Sequence, residues 1–179
     1  GNTTDCEWRE DSSSAVPGTL PPEKMPRITR ADYVSNSNDS YWLSNPEEPL
    51  EGYSPIIGSE KTARSLRTRA GLTLIQERID SGEKLSPDHV KEMLYSHRNF
   101  GAELLLDDLL SFCKGRPELE ASCIALSDWD RTMDIDSRGG HLWREFWDEA
   151  RKIEDLYTVP FSLEKPVETP NGLNTCLLY

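Results

Sequence analysis

Apolar side chains recur every three or four residues through the middle of the chain, a spacing typical of amphipathic helices. The first helix is predicted to begin after Ser59, its N-cap, and to end just before Gly82. Ser86 followed by Pro87 predicts the start of a second helix, because proline suits the first helical position. Three more helices are predicted at about 102–113, 118–126 and 141–155. Residues 59–156 are therefore predicted to form a helical region.

The segments on either side of this region are rich in proline and turn-forming residues. Residues 1–58 are predicted to form loops around one strand, which lies within Ile28–Ser37. Residues 157–179 are predicted to form a truncated loop with a short strand at Thr158–Phe161. An isolated strand cannot satisfy its own ladder hydrogen bonds, and loops this long are unusual inside a compact domain. We therefore expect an α+β, mainly helical piece of a larger sheet-containing protein.

The charge balance narrows the classes of partner. The chain has 20 basic and 32 acidic residues, which gives a net charge of −12. Such a surface repels phosphate backbones and anionic lipid headgroups. No apolar run approaches the roughly 20 residues of a membrane-spanning helix. We expect neither nucleic acid nor membrane as a partner.

Two of the four cysteines are ten residues apart, across a turn-forming stretch between predicted helices. Cys113 and Cys123 fit either a disulfide or two buried thiols, and the sequence leaves both open. A disulfide would indicate an oxidising compartment. No cysteine or histidine spacing matches a zinc site.

One acidic segment partly matches the calcium-binding loop of an EF-hand. Asp134, Asp136, Gly139 and Glu145 fall at positions 1, 3, 6 and 12 of that loop, but Arg138 places a cation where an oxygen ligand is needed. The segment is better interpreted as a turn whose acids lie at the N-terminus of the last helix. No cofactor or metal is predicted from these residues.

The histidines and short motifs give no catalytic signature. His89, His97 and His141 are predicted to lie on separate helices, as capping or surface residues. The sequence contains no serine-hydrolase elbow, phosphate-binding loop or zinc-protease motif.

The most unusual segment is rich in amides and aromatic residues and runs from Tyr33 to Pro46. A carboxamide at a strand tip, such as that of Asn36 or Asn38, is a neutral donor able to stabilise an oxyanion. Asn and Ser also build turns through local side-chain to backbone hydrogen bonds. The residues alone leave both interpretations open.

Several blocks resemble the penicillin acylase family, and especially the branch that cleaves acyl-homoserine lactones and aculeacin-type lipopeptides. They are Asp32–Val34, Asn36–Leu43, Asn45–Pro46, Gly52–Gly58, Arg67–Arg69, Asp128–Asp130 and Asp136–Gly139. This resemblance implies an N-terminal-nucleophile hydrolase of αββα fold, cut from a precursor into a small and a large subunit. It also implies a periplasmic or secreted location.

In that family, the serine at the start of the large subunit attacks the amide, with its own α-amine as base. A backbone N–H and an asparagine side chain hold the oxyanion. By resemblance Asn38 is that asparagine, with Asn36 as the alternative. Arg69 matches an arginine that orients the active site, and Arg67 is its competitor. The alternative for both arginines is a solvated helix face paired with glutamates.

The chain also departs from the family pattern. It begins with Gly1 rather than serine, and neither the backbone oxyanion donor nor the family's structural calcium ligands can be placed. We therefore expect an internal piece of the large subunit, inactive alone, that lacks the small subunit and the rest of the large one. The whole enzyme is expected to hydrolyse a long-chain N-acyl substrate, such as an acyl-homoserine lactone, lipopeptide or penicillin, through an acyl-serine. The alternative is a non-catalytic helical interaction module.

Overall fold

The computed structural model describes residues 10–178, in which the longer helices all fall within the second of two compact units, Gly1–Thr62 and Ala63–Tyr179. The α-helices are α1 Leu66–Asp80, α2 Pro87–Leu94, α3 Phe100–Cys113, α4 Glu120–Ser127 and α5 Gly140–Ala150. Short 3-10 turns occur at Pro22–Lys24, Tyr41–Leu43, Pro117–Leu119 and Thr175–Leu177. Gly1, which differs from the family's serine, lies outside the described residues.

The start of α2 confirms the prediction from sequence. Ser86 Oγ accepts a hydrogen bond from the His89 backbone N–H, and His89 Nδ1 accepts one from the Ser86 N–H. This reciprocal pair is a capping box, with Pro87 at the first helical position. The capping role predicted for a histidine is therefore confirmed at His89.

The predicted start of α1 at Ser59 is wrong, although the predicted end before Gly82 is confirmed. The helix is capped by Ser65, whose side chain accepts from the Thr68 N–H at 3.2 Å. Lys61, with a φ of 56°, has a left-handed backbone that no right-handed helix can contain. Apolar spacing cannot detect a break of this kind.

The other helices match their predicted positions with shifted ends. Asn99 caps α3, which therefore begins two residues before the predicted start. The 3-10 turn behind Pro117 delays the start of α4 to Glu120. Helix α5 ends at Ala150, five residues earlier than predicted, and Asp155 has a positive φ of 54°.

The strand predicted within Ile28–Ser37 is absent from the described structure. Ser35 donates to the Ser44 carbonyl at 2.7 Å, but the segment joins no ladder among residues 10–178. A strand needs a partner along its length, and local β-propensity alone does not supply one.

The described sheet is a two-stranded antiparallel pair in the second unit. Strand β1 is Tyr157–Val159 and strand β2 is Asn171–Leu173, with Tyr157 opposite Leu173. The predicted strand near Thr158 is thus confirmed with a shift of one residue at its start, whereas β2 was not predicted. Leu173 N–H also donates to Asp108 on α3 at 2.7 Å. The observed fold is helix-rich with a small sheet, which confirms the coarse fold class.

The core of the second unit is built around α3 and α5. Trp143, which is 1% exposed, stacks on Trp147 with ring centroids 6.2 Å apart, and Trp129 lies 6.1 Å from it. The buried residues around them are Ala102, Leu105, Leu106, Leu109, Leu126, Ala150, Leu156 and Leu173. Helix α3 contributes four of these and is therefore the central element of this core.

A disulfide joins the end of α3 to α4. Cys113 and Cys123 form the disulfide, with their Cα atoms 6.2 Å apart. Of the two interpretations left open by the sequence, the structure shows the disulfide and not two buried thiols. The bond closes the turn that carries the Pro117–Leu119 segment. Among the described helices, none combines the length and apolar character needed to cross a membrane.

Gly139 is a position where a side chain cannot be accommodated. It caps α5 with a φ of 115°, and an added Cβ would lie 2.6 Å from Trp129 Cβ and 2.9 Å from the Ala125 carbonyl oxygen. Backbone strain and this clash together lead us to expect that Gly139→Ala lowers the free energy of unfolding by about 2–3 kcal/mol. Urea unfolding followed by tryptophan fluorescence measures the loss.

Gly115→Ala is the matched control for this substitution. Gly115 also has a positive φ, of 77°, but an added Cβ there meets nothing within 4 Å. Gly115→Ala should therefore lower the free energy of unfolding only through backbone strain, by about 1 kcal/mol. Equal losses at the two positions would contradict the steric argument.

Candidate functional site

The amide-rich block forms a tight loop that leaves one carboxamide free. Asn36 Oδ1 accepts the backbone N–H of Asn38 at 2.8 Å, and Asn38 has a left-handed backbone with a φ of 53°. Asn36 therefore builds the turn, as the local-turn interpretation predicts for one of the two amides. The Asn38 side chain is exposed, and its carboxamide makes no hydrogen bond to any residue that the structure describes.

The segment after this loop is firmly buried. Trp42 and Leu43 are 2% and 3% exposed and lie in the Tyr41–Leu43 turn. Ser40 Oγ caps that turn by accepting the Trp42 N–H at 3.2 Å. The loop that carries Asn38 is thus connected directly to an anchored element, which limits how far its tip can move.

Asn45 closes the base of the loop, a role that sequence reasoning missed. Its side chain is completely buried and donates to the Tyr33 carbonyl at 3.0 Å and to Asp32 Oδ2 at 3.3 Å. Its Oδ1 accepts the Glu47 N–H at 2.9 Å. The quoted Asn45–Pro46 block was a signal for this residue, although not for its partners.

Glu60 is a second residue that sequence reasoning did not place in the site. Its carboxylate accepts hydrogen bonds from the Tyr41 hydroxyl at 2.5 Å and from the Gly52 and Tyr53 backbone N–H groups at 2.9 Å. These donors, Tyr41 first, lower the pKa of Glu60. Burial and the neighbouring Glu60 carboxylate together raise the pKa of Tyr41 to about 12. Both groups therefore keep their protonation states through the neutral range.

Arg69 occupies a buried position on α1, at 1% exposure. Its Nε donates to the Val167 carbonyl at 2.6 Å, its Nη2 donates to the Glu168 carbonyl at 2.8 Å, and its guanidinium lies 5.7 Å from the Phe100 ring centroid. Burial lowers its pKa. The alternative of a solvated helix face is therefore wrong for Arg69, whereas Arg67 is exposed.

The glutamates considered as arginine partners are engaged elsewhere. Glu77 pairs with Arg98 at 2.5 Å, and Glu60 holds the donors described above. Asn38 belongs to the first unit and Arg69 to the second, and the structure describes each within its own unit. The catalytic roles of both remain predictions.

The segment resembling a calcium loop is a turn, as interpreted from the sequence. Asp130 Oδ1 accepts from the Thr132 N–H and from Ser137 Oγ, both at 3.0 Å, and α5 begins directly after this turn. Asp134 hydrogen-bonds to His97. His97 lies outside the helices, so the prediction that this histidine is helical is wrong. Within residues 10–178 no cluster of three or more histidine, cysteine or acidic side chains is arranged to hold a metal ion.

Comparison with known proteins identifies one family. The penicillin amidase family model matches residues 1–172. The chain is 40% identical to aculeacin-A acylase of Actinoplanes utahensis, over 95% of the chain and 23% of that protein. It is 32% identical to the acyl-homoserine lactone acylase PvdQ of Pseudomonas putida, over 97% of the chain and 22% of the relative. It is 31% identical to PvdQ of Pseudomonas syringae pv. syringae, over 97% of the chain and 23% of that relative.

These matches cover nearly the whole chain, but the chain spans less than a quarter of the length of these relatives. The family model alone extends over far more than half of the sequence. The chain therefore belongs to the penicillin amidase family.

Proposed function

We propose that the whole protein carrying this chain is an acylase that hydrolyses the amide bond of an N-acyl substrate. The observation that carries the proposal is the extended similarity to acylases, which includes the Asn36–Leu43 block. One relative is named for aculeacin A and the others for acyl-homoserine lactones. The substrate class is accordingly an N-acylated small molecule or lipopeptide with a long acyl chain.

The proposed chemistry proceeds through an acyl-serine intermediate in a fold of the N-terminal-nucleophile αββα type. The serine oxygen attacks the amide carbon while the serine's α-amine takes the hydroxyl proton, and the carbonyl oxygen becomes an oxyanion. Asn38 donates its side-chain N–H to that oxygen, where a preorganised donor stabilises the transition state without transferring a proton. The oxyanion then collapses, the C–N bond breaks and the leaving amine takes the proton from the α-amine. Water then attacks the acyl-serine, which frees the fatty acid and restores the serine hydroxyl.

In this proposal the chain contributes an oxyanion donor but not the nucleophile. The exposed carboxamide of Asn38, on a loop whose following turn is buried, supports this assignment. Asn36, whose oxygen accepts the Asn38 N–H and whose amide N–H groups are also exposed, is the alternative donor. The nucleophile, its amine base, the second oxyanion donor and the small subunit belong to other parts of the whole protein. No metal or cofactor is proposed within the described residues.

Arg69 is proposed to support the site by fixing backbone rather than by touching substrate. Its two hydrogen bonds hold the carbonyls of Val167 and Glu168, more than 90 residues along the chain. Arg67, which is exposed, remains the alternative for a direct contact. A periplasmic or secreted location is also proposed, and the Cys113–Cys123 disulfide supports it, because such bonds persist in oxidising compartments.

A non-catalytic interaction module is the second candidate function. An open apolar groove of about 570 Å³ in the second unit favours it. The groove is lined among others by Leu109, Phe112, Leu126, Leu142, Phe146 and Ile153. Exposed apolar surface of this kind is typical of interaction sites.

A hydrolysis assay separates the two candidates. The whole protein is incubated with a long-chain N-acyl-homoserine lactone and, separately, with an N-acyl peptide, and the released fatty acid is measured by mass spectrometry. We expect release by the whole protein and none by the 179 residues alone. A folded whole protein that releases no fatty acid from either substrate would favour the interaction module. Release of fatty acid by the 179-residue chain alone would refute the proposal that the nucleophile and its base lie elsewhere in the whole protein.

A further inference from the structure

We propose that Glu60 is a positioning residue that fixes the loop bearing Asn38. This inference rests on the proposed role of Asn38 as an oxyanion donor. An oxyanion donor must stand at a defined place, since a displacement of about 1 Å costs up to 10²-fold in rate. Glu60 binds Tyr41, the first residue of the Tyr41–Leu43 turn, and so restrains the C-terminal end of the Asn38 loop.

One carboxylate joins two separate stretches of the first unit. Oε1 of Glu60 accepts from the Tyr41 hydroxyl at 2.5 Å and from the Tyr53 N–H at 2.9 Å, and Oε2 accepts from the Gly52 N–H at 2.9 Å. Hydrogen bonds to an ionised acceptor are stronger than neutral ones. Glu60 therefore ties the residue that begins the buried turn to the 52–53 backbone.

Asn38 is close in sequence to the residue that Glu60 holds. Tyr41 follows Asn38 by three residues, and Ser40 between them uses its hydroxyl to cap the turn. The Tyr41 ring packs edge-on against Tyr53, with centroids 5.4 Å apart. A displacement of Tyr41 would therefore move the backbone on which the carboxamide is mounted.

Gly58 lies beside the start of this turn. A Cβ added at Gly58 would lie 3.0 Å from Ser40 Oγ and 3.3 Å from Tyr41 Cε1. A side chain at position 58 would therefore crowd both residues. Without the Glu60 carboxylate, the Tyr41 hydroxyl and the two backbone N–H groups would have to find new acceptors.

The test is a double-mutant cycle in the whole acylase, with kcat and KM measured on a long-chain N-acyl-homoserine lactone. Glu60→Ala should lower kcat by about 10- to 100-fold while KM changes less than about threefold, because the loss is in transition-state geometry. Glu60→Gln, which keeps one carbonyl acceptor, should lose less. Glu47→Ala is the matched control, because its exposed carboxylate makes no hydrogen bond to a described residue, and it should leave kcat unchanged.

The coupling with Asn38 distinguishes positioning from a general structural role. If Glu60 acts through Asn38, the Asn38→Gly/Glu60→Ala double variant is no slower than Asn38→Gly alone, within about threefold. Independent, multiplying losses would overturn the proposal, as would an unchanged kcat in Glu60→Ala. An unchanged kcat in Asn38→Gly itself would instead refute the oxyanion assignment on which the proposal rests.

Tyr41→Phe keeps the test decisive if Glu60→Ala fails to fold. It removes only the hydroxyl donor and leaves both backbone N–H groups on the carboxylate. We expect a smaller loss of kcat, about threefold to tenfold, that also disappears in the Asn38→Gly background. A loss that persists in that background would overturn the proposal.

Discussion

Replacing Asn38 with glycine in the whole protein should lower kcat of the proposed amide hydrolysis by about 10²–10³-fold and change KM little, as expected for loss of an oxyanion donor. Glycine is the informative substitution because Asn38 has a φ of 53°, which glycine adopts without strain. The backbone of the loop is then preserved and only the carboxamide is lost. Steady-state hydrolysis of an N-acyl-homoserine lactone measures both constants.

Asn36→Asp is the control that separates the two amides. Aspartate keeps the oxygen that accepts the Asn38 N–H but removes the side-chain N–H donor of residue 36. If Asn38 holds the oxyanion, this variant should lose clearly less kcat than Asn38→Gly, because it keeps the donor in contact with the oxyanion and adds only a nearby negative charge. The opposite pattern, a severe loss in Asn36→Asp and none in Asn38→Gly, would assign the oxyanion to Asn36.

The largest expected effect on stability is at Arg69. Arg69→Met should lower the free energy of unfolding by about 3 kcal/mol or more, because the carbonyls of Val167 and Glu168 lose charged donors at a buried position. Methionine has a similar length and apolar stem, so lost packing contributes less than lost hydrogen bonding. Urea unfolding of the 179-residue chain, followed by fluorescence, provides the measurement.

Arg67→Met on the same helix is the matched variant for this prediction. Its side chain is exposed, so we expect a change of less than about 1 kcal/mol. Similar losses for the two arginines would show that the Arg69 contacts contribute little. Measuring kcat of the proposed hydrolysis for the same two variants of the whole protein then tests which arginine acts at the site.

The sequence predicted the helices well because their signals are local. The Ser86–Pro87 start and the Gly82 stop are encoded within a few residues, so pattern and propensity agree. Strand β2 could not be predicted in the same way. Asn171–Leu173 is three residues long and becomes a strand through its pairing with β1 and its hydrogen bond to Asp108.

The site was only partly predictable for a related reason. Asn38 was predicted as a site residue because family resemblance marked its block, whereas the residues alone did not separate it from Asn36. In the structure the two amides differ in one hydrogen bond, from the Asn38 N–H to Asn36 Oδ1, which depends on backbone angles that no residue spacing reveals. Glu60 was considered only as an arginine partner, because its donors, Tyr41 and the 52–53 backbone, are brought to it by loop folding.

The tryptophan cluster of the second unit gives the chain a built-in optical probe. Trp143 and Trp147 are stacked within 7° of parallel, and Trp129 is close to the same ring. Indoles held so near one another share electronic excitation, which produces a paired circular-dichroism signal that separated rings lack. Trp143 and Trp147 both lie on α5, whereas Trp129 precedes it, so the part of the signal that couples Trp129 to Trp143 reports whether this helix is packed in place, without any attached dye.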